Sequence, residues 1–456
     1  MYAFKGTKLP QASLPDFCVA PWSHGGFDLS RGLVRSCCHH DYTAWDATNL
    51  NPGDSLSESP VAIKVREEML TGVRPNACGD CWKVEDGGGV SNRQTWAAEH
   101  VMRFDRASVL EAKSTRGLVP AWVEIMFSNL CNFRCSYCNS FYSSSWAKSI
   151  ERGGPYPGRA ENLEFADLRS RAPQIEALRE RFLPWIESAL GRIRILKVSG
   201  GEPLLQPETF ELIELLLRRR PRDLAFGLNT NLCPPEASWR RFLELATRLK
   251  SEDAVIDAHI CASIDSWGKR AEYIRSGLKV EVLAARVEEF IERTAAGLIF
   301  NCTVNNLCLG GFEDLLRFVL KVKRINSIAN RRVSVSINVL SGPSYMDLQL
   351  RRPEEGRELL DSALQFAEEN AASSWSGFTP LELNSLRSLR GMLGRRSEDQ
   401  LRLAEFFEFF REYDRREGKK FTEVFPELNQ FWRRAEAAFH ERRSERKTEV
   451  GIGAGA

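Results

Sequence analysis

The 456-residue chain has an ordinary globular composition, 43% hydrophobic and 27% charged, and room for two to three domains at roughly 150 residues each. Its 63 basic and 61 acidic side chains nearly cancel, so the net charge of +2 gives no support for a nucleic-acid partner. No run of about 18 apolar residues is present, and the opening MYAFKGTKLPQASLPDF lacks an apolar signal core; no membrane span and no export are expected, which places the protein in the cytoplasm.

In chain order, residues 1–116 are rich in Gly, Pro and Cys, with helices expected near 61–70 and 95–113. From 117 to 345, β-branched strand patterns alternate with amphipathic helical ones. Strands are expected at 121–127, 192–199, 223–230, 258–265, 297–304 and 332–340, and helices at 208–220, 237–250, 280–296 and 312–324. Short βα units of this kind build a parallel sheet with right-handed crossovers. Six units suit a partial (β/α)6 TIM-like barrel in an α/β fold, with chemistry at the C-terminal strand ends. Residues 346–456 read as a helical C-terminal extension of charged amphipathic helices, ending in a disordered GIGAGA tail.

Twelve cysteines in a reducing compartment are expected to be thiols or metal ligands. Cys233, Cys261, Cys302 and Cys308 are scattered, as core cysteines are. The others are grouped, and the tightest group is Cys131–Asn–Phe–Arg–Cys135–Ser–Tyr–Cys138, directly after the strand at 121–127. Three thiolates at this spacing suit three irons of a [4Fe–4S] cubane and leave the fourth iron open. An amino-carboxylate compound such as S-adenosylmethionine (SAM) can chelate that iron, and an electron from the cluster then breaks a C–S bond of the sulfonium. Structural zinc is the alternative, but it takes four ligands, commonly as CxxC pairs.

This segment resembles the signature loop of the radical SAM superfamily, CxxxCxΦC, with Tyr137 as the aromatic that packs near the adenine. A second match, Gly200–Gly201–Glu202–Pro203 after the next strand, resembles the superfamily's GGEP motif, which receives the SAM amino group. Two glycines let backbone approach a ligand, and a carboxylate suits an ammonium. The resemblance extends to Asn229–Thr–Asn231, where Leu232 stands in place of a glycine, and to Ser263–Ile–Asp265, implied to approach the ribose and methionine of SAM. It also extends to Arg275, implied to hold the SAM carboxylate.

Cys18 in CVAPW, the pair Cys37–Cys38, Cys78–Gly–Asp–Cys81 and Ser91–Asn–Arg–Gln94 resemble an N-terminal twitch/SPASM-like module. The resemblance implies a second, auxiliary [4Fe–4S] cluster on Cys18, Cys37, Cys78 and Cys81. The GxVxxC run at 32–37 favours Cys37 over Cys38, and zinc on the same thiols, or with His39 or His40, is the alternative.

The expected activity is reductive SAM cleavage to a 5′-deoxyadenosyl radical that abstracts hydrogen from a small polar molecule, causing oxidation, rearrangement or epimerisation. A peptide- or protein-modifying enzyme is the alternative, and a non-catalytic iron–sulfur electron carrier the remote one. Epimerisation would need a hydrogen donor, for which Cys233 and Cys308 are the scattered thiols that follow strands. The implied partners are a substrate and an electron donor such as flavodoxin or ferredoxin.

Overall fold

The computed structural model describes residues 16–46, 55–86, 91, 93–94, 114–157, 172–326, 331–393 and 399–453. The described strands are β1 (His24–Asp28), β2 (Leu33–Arg35), β3 (Thr43–Ala44), β4 (Trp122–Met126), β5 (Arg134–Cys135), β6 (Ile195–Ser199), β7 (Ala225–Thr230), β8 (Asp257–Ser263), β9 (Arg275–Ser276), β10 (Gly297–Val304) and β11 (Val333–Val339). All six strands expected between 117 and 345 are present. The chain forms two compact units, 1–128 with 164–228 and 252–258, and 129–163 with 229–251 and 259–456.

In the first unit the strands run in the order β7, β6, β4, β1, β2, β3. β4, β6 and β7 are parallel, with Trp122 opposite Ile195 and Ile195 opposite Ala225. β1 and β2 form the antiparallel hairpin that the GxVxxC run suggests. β1 also pairs in parallel with β4, so main-chain hydrogen bonds carry the cysteine-bearing segment onto the sheet edge. Val123, Ile125, Leu196 and Val198 are fully buried along one face. Phe27 and Phe182 meet edge to face at 5.0 Å between ring centroids. Phe182 lies on helix Ala172–Ala189, which the sequence reading missed because Pro184 interrupts its pattern. The same strands place Glu124 opposite Lys197, so this parallel sheet has a polar row where an apolar run is usual.

In the second unit β8, β10 and β11 are parallel, with Ile260 opposite Leu298 and Leu298 opposite Val333. A two-stranded ribbon, β5 antiparallel to β9, holds the middle of the cysteine loop. The expected helices are found at Glu236–Ser251, Val280–Arg293 and Phe312–Ile325, and in the C-terminal region at Arg357–Glu369, Gln400–Glu417 and Asn429–Gly453. Helix Gln400–Glu417 buries Leu403, Phe406, Phe407, Phe410 and Tyr413, the 3–4 spacing of a core-facing stripe. The helix expected near 95–113 lies outside the described residues; of the tail expected to be disordered at 451–456, the first three residues instead end helix Asn429–Gly453, and the rest lie outside the described residues. Among the described residues no helix is long and apolar enough to cross a membrane.

One helix unforeseen in the sequence, Pro380–Met392, starts with a capping box of Thr379 and Glu382. Glu382 also accepts from the Val335 backbone N–H at 2.7 Å and pairs with Lys323 at 3.1 Å. Lys323 is 1% exposed and spends its other donors on the carbonyls of Val333 and Gly377, both at 2.9 Å. A charge removed from such a pair leaves its partner buried and uncompensated. Lys323→Ala is therefore expected to lose about 3–5 kcal/mol of stability in denaturant unfolding. A loss below about 1 kcal/mol, the range of exposed pairs, would show that the pair does not tie this helix to β11.

Candidate metal centre

In the first unit Cys18, Cys37, Cys78 and Cys81 line one cavity, together with Cys38, His39, His40 and Arg93. Each thiol arrives on a different local device. Cys18 precedes the short helix Ala20–Ser23 and accepts from the Ala20 backbone N–H at 3.4 Å. That turn is pinned by Arg66, 1% exposed, which donates to the Pro21 carbonyl at 2.7 Å and to Glu58 at 2.7 and 2.8 Å. Cys37 follows β2, and Cys78 and Cys81 sit where a 3-10 turn runs into helix Gly79–Asp86. Phe17, Trp22, Val65, Met69 and Trp82 pack around Cys18 and Cys78, and Cys37 packs against the same cluster. Cys38 has Arg35 and Glu124 as its charged neighbours.

Burial pushes the Cys18 thiol up to about 12. Burial raises Cys78 as well, and the thiolates of Cys18, Cys37 and Cys81 add repulsion. Cys37 goes the other way, to about 7, chiefly because Cys38 hydrogen-bonds to it. Several thiolates cannot share a buried space without a cation to neutralise them, and a bound metal displaces their protons. The donor set therefore fits an iron–sulfur group. Among the described residues no three His, Cys, Asp or Glu side chains converge as one ion would draw them. A cubane, with each thiolate on its own iron, does not require such convergence. His40 is 4% exposed, with Nε2 3.3 Å from Cys78 Sγ and Nδ1 3.2 Å from Ser36 Oγ. Burial lowers its pKa to about 4, so the ring is neutral.

In the second unit the loop of Cys131, Cys135 and Cys138 has its backbone held by serines and a tryptophan that the motif alone does not specify. Ser143 caps helix Ser144–Gly153 and donates to the Phe133 carbonyl at 2.7 Å. Ser145 Oγ donates to the Cys131 carbonyl at 2.7 Å, and the fully buried Trp146 donates from Nε1 to the Cys135 carbonyl at 2.9 Å. Within the loop Arg134 makes a two-pronged contact with Glu417, at 2.7 and 2.6 Å. Glu417 also accepts from Ser276 Oγ at 2.6 Å, and Tyr413 Oη donates to the Arg134 carbonyl at 3.1 Å. The C-terminal helix Gln400–Glu417 thus buttresses the cysteine loop, a role its charged sequence did not announce.

Asp265, 0% exposed, gathers two other candidate residues, Arg275 and Tyr137. It accepts from Arg275 at 2.8 and 2.9 Å, from Tyr137 Oη at 2.8 Å and from the Thr303 backbone N–H at 2.8 Å. Arg275 is buried rather than a surface charge, and its Nη1 lies 3.8 Å from Cys135 Sγ. Ser263 is half-buried at the end of β8. Asn231 donates to Asn132 Oδ1 at 2.8 Å, and Asn132 in turn donates to the Cys233 carbonyl at 2.7 Å, tying the strand end to the cysteine loop. Leu232, where the motif has glycine, keeps the left-handed backbone with φ 57° and is fully buried, so the turn survives at the cost of strain. Asn229 Oδ1 is buried without a donor among the described residues. Cys308 is fully buried and donates to the Asn305 carbonyl at 3.1 Å, a core setting rather than that of a hydrogen donor.

The GGEP segment belongs to the first unit. Gly200 has φ 106°, and a Cβ there would lie 2.2 Å from Met126 Cγ, so both conformation and space demand glycine. Glu202 is 0% exposed and accepts from the Leu204 N–H at 3.0 Å, starting the turn Pro203–Leu205. The side-chain amide of Gln206 donates to and accepts from the Ser128 backbone, at 3.2 and 3.3 Å, fixing the chain as it leaves β4.

Residues 125–267 match the family model described as Radical SAM superfamily. No curated protein matches the sequence. Among solved structures, the chain is similar to Streptococcus suis SuiB bound to S-adenosylmethionine, with 12% identity over 75% of this chain and 68% of that one and a TM-score of 0.37. It is similar to SuiB bound to precursor peptide SuiA, with 13% identity over 77% and 70% and a TM-score of 0.37. It is also similar to native anSMEcpe with bound AdoMet and Kp18Cys peptide, with 18% identity over 54% and 60% and a TM-score of 0.31. Proteins of the matched family use a [4Fe–4S] cluster and SAM, and it is to this family that residues 125–267, which include the cysteine loop and the GGEP segment, are similar.

Proposed function

We propose that the chain cleaves SAM reductively at a [4Fe–4S] cluster held by Cys131, Cys135 and Cys138. The observation that carries this reading is the cysteine loop itself: serine, tyrosine and tryptophan side chains hold its backbone at Cys131, Phe133, Arg134 and Cys135, and three thiols stand on the loop so held. When bound, the cluster supplies the electron that splits the sulfonium. The chain's own part is to hold the loop against Glu417 and Asp265 and to receive the cofactor. Gly200, Gly201, Glu202 and Pro203 are proposed to meet the SAM amino group, with Tyr137, Asn231 and Ser263 as further contacts. We assign an auxiliary cluster to Cys18, Cys37, Cys78 and Cys81, preferring Cys37 over Cys38 because it packs with Cys18 and Cys78. Residues 1–116, 117–345 and 346–456 are proposed as the auxiliary, catalytic and buttressing parts, working in the cytoplasm with an electron donor such as flavodoxin or ferredoxin.

For the substrate, a peptide or protein side chain is the first class to test and a small polar molecule the second. SuiA and Kp18Cys are peptides bound by SuiB and anSMEcpe, although likenesses of this extent do not transfer a substrate to this chain.

Anaerobically reconstituted, reduced protein is expected to yield 5′-deoxyadenosine and methionine from SAM, and Cys135→Ala to yield neither; native-rate cleavage by that variant would sink the loop assignment. The combined Cys131→Ala, Cys135→Ala, Cys138→Ala protein should retain about four irons and stay brown, since four thiolates complete one cubane. Zinc without iron in that protein would overturn the auxiliary cluster and leave the radical reading standing. Cell extract split by ultrafiltration should raise 5′-deoxyadenosine formation through its peptide-containing, protease-sensitive fraction. Stimulation only by a protease-resistant small-molecule fraction would overturn the peptide reading.

A further inference from the structure

The resemblance puts Arg275 on the SAM carboxylate, but the structure gives its guanidinium other partners. β5 and β9 pair antiparallel with Cys135 directly opposite Arg275, so the two side chains emerge on the same face of a two-residue ribbon. The adjoining Ser136 N–H donates to the Ile274 carbonyl at 2.7 Å and closes that ribbon. Asp265 grips Nε and Nη2 of Arg275 at 2.8 and 2.9 Å, the fork geometry that fixes a guanidinium in its plane. The carboxylate is itself immobilised by Tyr137 Oη and the Thr303 N–H. The Tyr137 ring lies beside the guanidinium, its centroid 5.5 Å from Cζ. What this frame leaves to Arg275 is Nη1, and Nη1 lies 3.8 Å from Cys135 Sγ. The side chain of Arg275 is 8% exposed and that of Asp265 0%, so little water screens the charge from the sulfur.

We infer that Arg275, oriented by Asp265, is a charged N–H donor to the Cys135 thiolate and sets the reduction potential of the cluster that this thiolate ligates. This rests on the proposed assignment of Cys131, Cys135 and Cys138. Reduction adds negative charge to a cluster and its thiolates, and donors or cations at the sulfurs favour the reduced form. Arginine suits the task because it stays protonated at any relevant pH. Asp265 acts through Arg275 and is a positioning residue. It brings a negative charge of its own, but its oxygens are turned to four protein donors, whereas Nη1 faces the sulfur.

The test is an EPR-monitored redox titration of reconstituted full-length protein without SAM, with iron content measured alongside and SAM affinity by calorimetry. The relevant signal is the one missing from the protein with Cys131, Cys135 and Cys138 all changed to Ala. Arg275→Met should keep its iron and move that signal to a more negative potential. Asp265→Glu, which keeps the carboxylate charge but displaces the fork, should shift it in the same direction by a smaller amount, because the donor loses its orientation while both charges stay. If Arg275→Met loses iron, Arg275→Lys decides instead: it keeps the charge but loses the fork, and an iron-loaded protein should again titrate lower. An unchanged potential without SAM, with SAM affinity alone weakened, would overturn the inference and return Arg275 to the carboxylate. A signal that persists in the triple-cysteine variant would remove the loop assignment itself, a separate failure read in a separate protein.

Discussion

A carboxylate withdrawn wholly from water has to be neutralised and fully hydrogen-bonded, and Asp265 meets that demand with groups from three other segments of the second unit. Its partners are Arg275 from β9, Tyr137 from the cysteine loop and the Thr303 N–H of β10, while Asp265 itself follows β8. Each of these must be in place for the carboxylate to be buried, so the loop's aromatic and the loop's nearest cation are positioned by one charge. Preorganisation of this kind lets a site hold a reactive group without rearranging around it.

The C-terminal helices extend the same logic outward. Arg134 lies between two candidate ligands and is tied by Glu417, whose helix is anchored in turn by a stripe of phenylalanines. Asp414, three residues earlier, accepts from Tyr273 Oη at 2.6 Å, and Tyr413 donates to both the Arg134 and Tyr273 carbonyls at 3.1 Å. One helix turn therefore grips helix Gly268–Ile274, which precedes the Arg275 ribbon, and the loop that carries Cys135. A segment that reads as a charged amphipathic helix thus has an inner face packed against the candidate cysteine loop.

The thiols of the first unit pose the opposite electrostatic problem. Asp265 finds its cation within the protein; the group of Cys18, Cys37, Cys78 and Cys81 shares its cavity with Arg93, His39 and His40 and packs against Phe17, Trp22, Val65, Met69 and Trp82. Burial and mutual repulsion keep most of these thiols protonated, so stable ionisation there depends on a metal. The neutral His40, hydrogen-bonded to Ser36, stands beside Cys78 as an outer partner of the kind that orients and tunes metal ligands.

Local pattern was enough for the parts of this protein that are local. The six strand patterns from residue 121 onward, the helices at 208–220, 237–250, 280–296 and 312–324 and the three-cysteine loop each depend on a few contiguous residues and were legible in the chain, whereas helix Ala172–Ala189 was not. Gly200 was legible for the same reason, since its positive φ is a property of one residue. The partners that make the site rigid were not. Glu417 lies 283 residues from Arg134, and Lys323 and Glu382 are 59 apart, so no periodicity links either pair. Arg275 was found by sequence, but its occupation by Asp265 and Cys135 was not, because burial and cross-strand register exist only once the chain has folded. The sequence by itself determined which residues are candidates for the chemistry; the tertiary structure decided which charge each of them faces, since electrostatic partnership depends on distance through space and on water excluded by packing.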